Sequence, residues 1–202
     1  MIDAEDALQI LKDGNARFVA GDIDPDTRRD VARREQLAER QEPFAIILGC
    51  SDSRVPVEIV FDQGLGDLFV IRVAGNVVSK TQLGSIEFAA DNLGARLVVV
   101  LGHTNCGAVD AALEVVQRGT VPESDNLRLI FDRIRPCAER ALSRGSIRSR
   151  AELVDLVGQA SVRSTVDTIR NAPGIIGRLA GEEGLLVIGA QYSLATGAVE
   201  FL

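Results

Sequence analysis

The feature that most constrains this chain is a set of short stretches that are apolar at every position. FAIIL at residues 44–48, LFVIRV at 68–73 (broken only by Arg72), LVVVL at 97–101 and LLVIGA at 185–190 are all strand-sized. A strand with one face in water alternates apolar and polar residues. A run apolar throughout is buried on both faces, which in α/β proteins means a parallel sheet between helices. The intervening segments read as helices: 55–61 with Pro56 near its first turn, 83–93 ending at Gly94, 106–117 ending near Gly119, 127–142 and 151–170. Residues 192–201, bent at Thr196 and Gly197, read as a final hairpin partner. The expected fold class is therefore α/β, with a mostly parallel central β-sheet flanked by helices.

The first forty residues differ in character. Ala7, Leu8, Leu11, Phe18 and Val19 form one helical stripe over 4–19 with Asp3 as N-cap, and the stretch from Gly21 to Pro25 breaks it. A charged helix is expected around 31–40. Such an arm carries few core residues. It is expected to pack on a neighbouring subunit, the alternative being its own domain. The division is thus an N-terminal helical arm at 1–40 and an α/β domain at 41–202, a single domain overall.

Composition narrows the function. With 202 residues, 46% of them apolar, the chain can bury a full core. Its formal net charge of −7 argues against a nucleic-acid partner or an anionic membrane surface, and none of the apolar runs approaches the roughly 20 residues a bilayer requires. The amino terminus has no basic region followed by an apolar one, so the expected compartment is the cytoplasm. Three cysteines in a reducing compartment favour metal or catalytic use over disulfides.

The single histidine, His103, follows the third run, and Cys106 lies three residues beyond it. Cys50 follows the first run. Ligands in open parallel sheets bind beyond the carboxyl ends of the strands, and adjacent strands are about 4.8 Å apart, so all three side chains can reach one centre. Gly102 and Gly107 are expected to let the backbone turn tightly there. Two thiolates and one imidazole make a zinc set with a vacant fourth position, the mark of a catalytic site. The plain alternative is that Cys50 and Cys106 are small core residues, which is the better reading for Cys137. Asp52, two residues after Cys50, is placed to orient a water at the open position. Arg54 can clasp its carboxylate and keep it off the metal, unless the two form an ordinary surface pair.

CSDSRV at 50–55 and GHTNCGA at 102–108, with matching segments at 61–76 and 84–90, make the chain resemble the β-class carbonic anhydrases over most of its length. The resemblance implies Cys50, His103 and Cys106 as ligands of one Zn2+ per subunit, and Asp52 with Arg54 as a catalytic dyad. It further implies hydration of carbon dioxide to bicarbonate and a proton by a zinc-generated hydroxide, in a homodimer or homotetramer with the active site at the subunit interface. Gln41, nine residues before the first ligand, matches the plant-like, open-zinc subtype, whose glutamine hydrogen-bonds substrate. The other subtype has a tryptophan where Ile47 stands, and this chain has none. Arg72 and Tyr192, which match that subtype's bicarbonate site, are therefore read as structural. Phe69, Ala74 and Phe88 are expected to line the carbon dioxide pocket, with Gly107 offering a backbone N–H. A related zinc hydrolase of carbonyl sulfide or carbon disulfide, or a non-catalytic zinc protein, are the alternatives.

Overall fold

A computed structural model describes residues 2–23, 31–145 and 149–202. Five strands form one sheet in the order β2-β1-β3-β4-β5: β1 Ala45–Gly49, β2 Leu68–Arg72, β3 Leu97–His103, β4 Leu186–Tyr192 and β5 Val199–Phe201. The pairs among β1 to β4 are parallel, and β5 runs antiparallel to β4 as the expected hairpin partner. Of the break expected over 21–25, Asp24 and Pro25 lie outside the described residues.

The all-apolar runs are explained by what covers them. Ile46, Leu48, Val98 and Val100 face α4 (Lys80–Asn92), α7 (Arg150–Arg170) and α8 (Ile175–Glu182) through Ile86, Val162, Ile169 and Ile176. The alternate positions, Ala45, Ile47, Leu97, Val99 and Leu101, face α1 (Ala4–Ala20) and α3 (Val57–Val60) through Leu11, Val57 and Val60. A third cluster joins α5 (Gly107–Arg118), α6 (Asp125–Ser143) and α7, and takes in Cys50, Cys106 and Cys137. Cys137 is buried and its sulfur accepts from Arg140 at 3.2 Å, as befits core filler.

Within one chain, α1 packs on the sheet of its own domain. It is N-capped by Asp3, which accepts from the Asp6 N–H at 2.8 Å. Ala7 and Leu11 are fully buried on its own sheet. Asn15, also buried, donates to the Val60 and Gly197 carbonyls and accepts from the Val199 N–H, tying α1 to both the α3 turn and β5. The charged helix is shorter than expected: α2 covers only Val31–Gln36 and buries none of its residues.

β3 runs two residues past its expected end, so His103 stands within the strand rather than after it. Gly102 is correspondingly not a turn residue. It pairs with Gln191, and an added Cβ would lie 2.6 Å from Val162 Cγ2 and 2.7 Å from Gln191 Oε1. Its lack of a side chain lets α7 approach the strand just below the site. Gly102→Ala is expected to destabilise the protein by about 1–3 kcal/mol through overpacking, measured as a lower urea midpoint at unchanged slope. An unchanged midpoint would show that α7 can move away freely.

Candidate metal centre

The carboxyl ends of β1 and β3 lie side by side because the two strands are paired along their length, Gly49 opposite Leu101. Each strand ends by delivering a sulfur or nitrogen to the same place. The Cys50 and Cys106 sulfurs are 4.0 Å apart, and the donor atoms of Cys50, His103 and Cys106 all lie within 4.8 Å of one another in a buried cluster. Two sulfurs bound tetrahedrally to one zinc at about 2.3 Å would stand about 3.8 Å apart. His103 Nδ1 is 2.9 Å from the Thr104 carbonyl, which fixes the proton on that nitrogen. Its Nε2 is left as a buried lone pair without a hydrogen-bond partner. A buried imidazole nitrogen turned towards two thiols is unfavourable alone and is what a divalent cation with sulfur preference requires.

Backbone N–H groups favour negative charge at each sulfur. Cys106 is the N-cap of α5, where the N–H groups of Ala108 and Val109 face its sulfur and the helix dipole favours negative charge. Cys50 receives the Gly75 N–H at 3.3 Å, from a residue in the left-handed region (φ 71°). Between the two sulfurs alone one proton is shared: the hydrogen bond from Cys106 draws the Cys50 thiol down to about 4, and the same bond pushes the Cys106 thiol well up. Burial pulls the His103 imidazole down, while the Cys50 sulfur, the Thr104 carbonyl and the Asp52 carboxylate raise it, and together they leave the ring raised.

Asp52 and Arg54 form a two-pronged clasp. Arg54 Nε is 2.9 Å from Oδ1 and its terminal nitrogen is 2.8 Å from Oδ2, while the Arg54 N–H donates to Oδ1 at 3.0 Å. The guanidinium holds the Asp52 carboxyl well below the usual carboxylate range. Oδ2 remains 3.8 Å from His103 Nε2, beyond hydrogen bonding but beside the donor cluster. The carboxylate is thus ionised, adjacent to the centre and restrained from entering it. Ala74 and Gly107 border the same region, Ala74 beside Gly75, and Gly107 beside Cys106 with open space where a Cβ would project.

Gln41, Phe69 and Phe88 do not join them within one chain. Gln41 lies before the amino end of β1, in a cleft with Arg40, Phe44 and Asn92, while Cys50 follows its carboxyl end. Five extended residues put about 16 Å between those ends. Phe69 pairs with Ile46, at the far half of the strand, and packs against Phe88 at 6.2 Å between ring centroids. Phe88 is 49% exposed, and β2 is an edge strand of half-buried residues. The expected single pocket is therefore split by the length of β1.

Arg72, read as structural, braces the ligand loop through the Cys50 carbonyl at 3.0 Å and the Asp52 carbonyl at 2.7 Å. Sequence reasoning missed the other supports. Asn105, between His103 and Cys106, takes the left-handed conformation (φ 52°) that makes the turn assigned to the glycines. Asparagine tolerates that region better than most residues, a signal the motif did carry. Asp155 accepts from the Asn105 N–H at 2.9 Å, from 50 residues away, and carried no signal.

A family model described as carbonic anhydrase matches residues 45–199. A carbonic anhydrase of Mycolicibacterium smegmatis is 43% identical over 199 residues, covering 96% of this chain and 91% of that protein. Among solved structures, a β-carbonic anhydrase of Aspergillus fumigatus aligns with a TM-score of 0.75 at 29% identity, covering 84% of this chain and 79% of that one. A tetrameric β-carbonic anhydrase from Sordaria macrospora aligns with a TM-score of 0.75 at 27% identity, covering 84% and 85%.

Proposed function

The chain belongs to the β-carbonic anhydrase family, and from that premise we propose that it hydrates carbon dioxide reversibly at a zinc ion held by Cys50, His103 and Cys106. The observation that carries this reading is the buried, partnerless His103 Nε2 facing two sulfurs beside an Arg-clasped carboxylate. A zinc ion bound there supplies the Lewis acidity that makes water nucleophilic near neutral pH.

The chain's own residues do the rest. Asp52, kept anionic by Arg54, accepts the O–H of the attacking water and so aims its lone pair at the substrate carbon. Arg54 keeps that carboxylate from becoming a fourth ligand. Carbon dioxide is apolar and offers only weak acceptors, so its binding calls for an apolar wall and one or two donors. Ala74 and the Gly107 N–H serve that purpose from this side of the site. Gln41, Phe69 and Phe88 serve it from the other side in a second copy of the chain, across the half-buried β2 edge. This makes a homodimer the smallest complete unit, in keeping with the tetrameric assembly of the Sordaria macrospora enzyme.

No second histidine exists to carry the product proton away, so it leaves through solvent and buffer. Stopped-flow hydration on protein of measured zinc content tests the reading. Rapid carbon dioxide hydration is expected from protein carrying one zinc per chain, with saturating turnover rising as buffer concentration is raised. Zinc-loaded protein that hydrates carbon dioxide no faster than buffer would overturn it.

A further inference from the structure

Beyond Thr104 the chain must reverse within two residues to bring Cys106 back towards Cys50. Thr104 itself is well held: its N–H donates to the Tyr192 carbonyl at 2.9 Å, and its hydroxyl accepts from the Leu194 N–H at 3.0 Å. The reversal falls on Asn105, an exposed residue at φ 52°, a left-handed conformation that asparagine tolerates better than most non-glycine residues but that is held firmly only when its surroundings fix it. Two contacts do so. The Asp155 carboxylate accepts the Asn105 N–H at 2.9 Å, and the Asn105 carbonyl accepts from the terminal nitrogen of Arg54 at 3.4 Å. That same nitrogen clasps Asp52. Asp155 comes from the second turn of α7, whose neighbouring Leu153, Val154 and Val157 are buried against α5 and α6, so the carboxylate rides on a rigid platform.

We propose that Asp155 is a positioning residue of the metal centre: by holding Asn105 in its left-handed turn, it sets the distance between the His103 and Cys106 donors and anchors the guanidinium that restrains Asp52. It touches neither substrate nor metal donor and acts through the ligand loop alone. The proposal rests on the zinc-site reading above. What matters is an acceptor oxygen at the Asn105 N–H, and an amide oxygen in the same place still accepts, though without the carboxylate's charge.

The test compares zinc-loaded wild type, Asp155→Ala and Asp155→Asn. Zinc transfer to a chelator is expected to be at least about tenfold faster in Asp155→Ala, in line with the usual effect of removing an outer-shell partner, with a parallel fall in kcat. Asp155→Asn, which retains the acceptor, should stay within about threefold of wild type in both. Hydrogen exchange of the Asn105 amide should be slow in wild type despite the residue's exposure, and fast in Asp155→Ala. Wild-type rates of zinc release in Asp155→Ala would overturn the proposal, and so would an Asp155→Asn variant as impaired as the alanine one. Should Asp155→Ala not fold, the wild-type exchange measurement decides: an unprotected Asn105 amide overturns it. Zinc content of the wild type is read separately, so failure of the metal reading is distinguishable from failure of this one.

Discussion

Cys106→Ala is expected to lose bound zinc and to reduce carbon dioxide hydration to the rate of protein-free buffer, a fall of at least about 10³-fold given the usual scale of enzymatic acceleration. Among the described residues three protein donors converge at the centre, so removing one leaves a thiolate and an imidazole, too few to retain a catalytic zinc at ordinary concentrations. The fold should survive. Cys106 makes no side-chain cap bond to α5, and alanine fills most of its buried volume. The measurements are metal content, stopped-flow hydration and far-ultraviolet circular dichroism. Cys137→Ala is the internal control, because Cys137 lies in the α5–α6–α7 core and its loss should leave zinc and turnover unchanged. A Cys106→Ala protein that hydrates carbon dioxide at the wild-type rate would remove the basis of the proposed chemistry.

Asp52→Asn is expected to keep zinc and lower kcat by about 10²–10⁴-fold, the range typical of removing a positioned acid–base group. The substitution is nearly isosteric, so the effect isolates charge from shape. A carboxamide offers one acceptor oxygen and one donor nitrogen where Arg54 presents two donors at 2.9 and 2.8 Å. One arm of the clasp is therefore lost whichever way the amide turns, and the group can no longer take a hydrogen bond as an anion. Zinc should stay because Asp52, whose Oδ2 is 3.8 Å from His103 Nε2, is not one of the three clustered donors. Retention of full kcat in a zinc-replete Asp52→Asn enzyme would assign the carboxylate a purely structural role.

Much of the scaffold is legible in the sequence because burial on both faces of a strand leaves a short run apolar throughout, although β2 carries such a run as a half-buried edge strand. Val98 and Val100 face one helical layer, and Leu97, Val99 and Leu101 the other, so LVVVL reads as a central strand from its residues alone. The helix α8 leaves no such mark. Gly177 and Gly181 within its eight residues weaken the helical signal, and its formation depends on Ile176 and Leu179 entering the core. The far end of β3 reads as a loop because Gly102 and His103 are poor strand residues alone. Their pairing with Gln191 and Tyr192, nearly ninety positions later, overrides that preference.

The donor set is readable from residue type and spacing. What holds it is not, because the supports are backbone groups and distant side chains. Arg72 works through two carbonyls, Gly75 through an N–H, and Asp155 through the peptide of a turn it braces from another helix. Arg72 and Gly75 fall within the matching segment at 61–76, but nothing in it says which peptide groups they hold, and Asp155 leaves no motif at all.

The separation of Gln41, Phe69 and Phe88 from Cys50 along β1 has a genetic consequence under the shared-site arrangement proposed above. Each copy would lend one half of its chemistry to a sister molecule and borrow the other half in return. Two alleles, one damaged at Cys50 and the other at Gln41, would then be individually defective yet assemble, in a mixed pair, one centre with every wild-type part. Lesions in the two halves would complement each other, whereas two lesions in the same half would not.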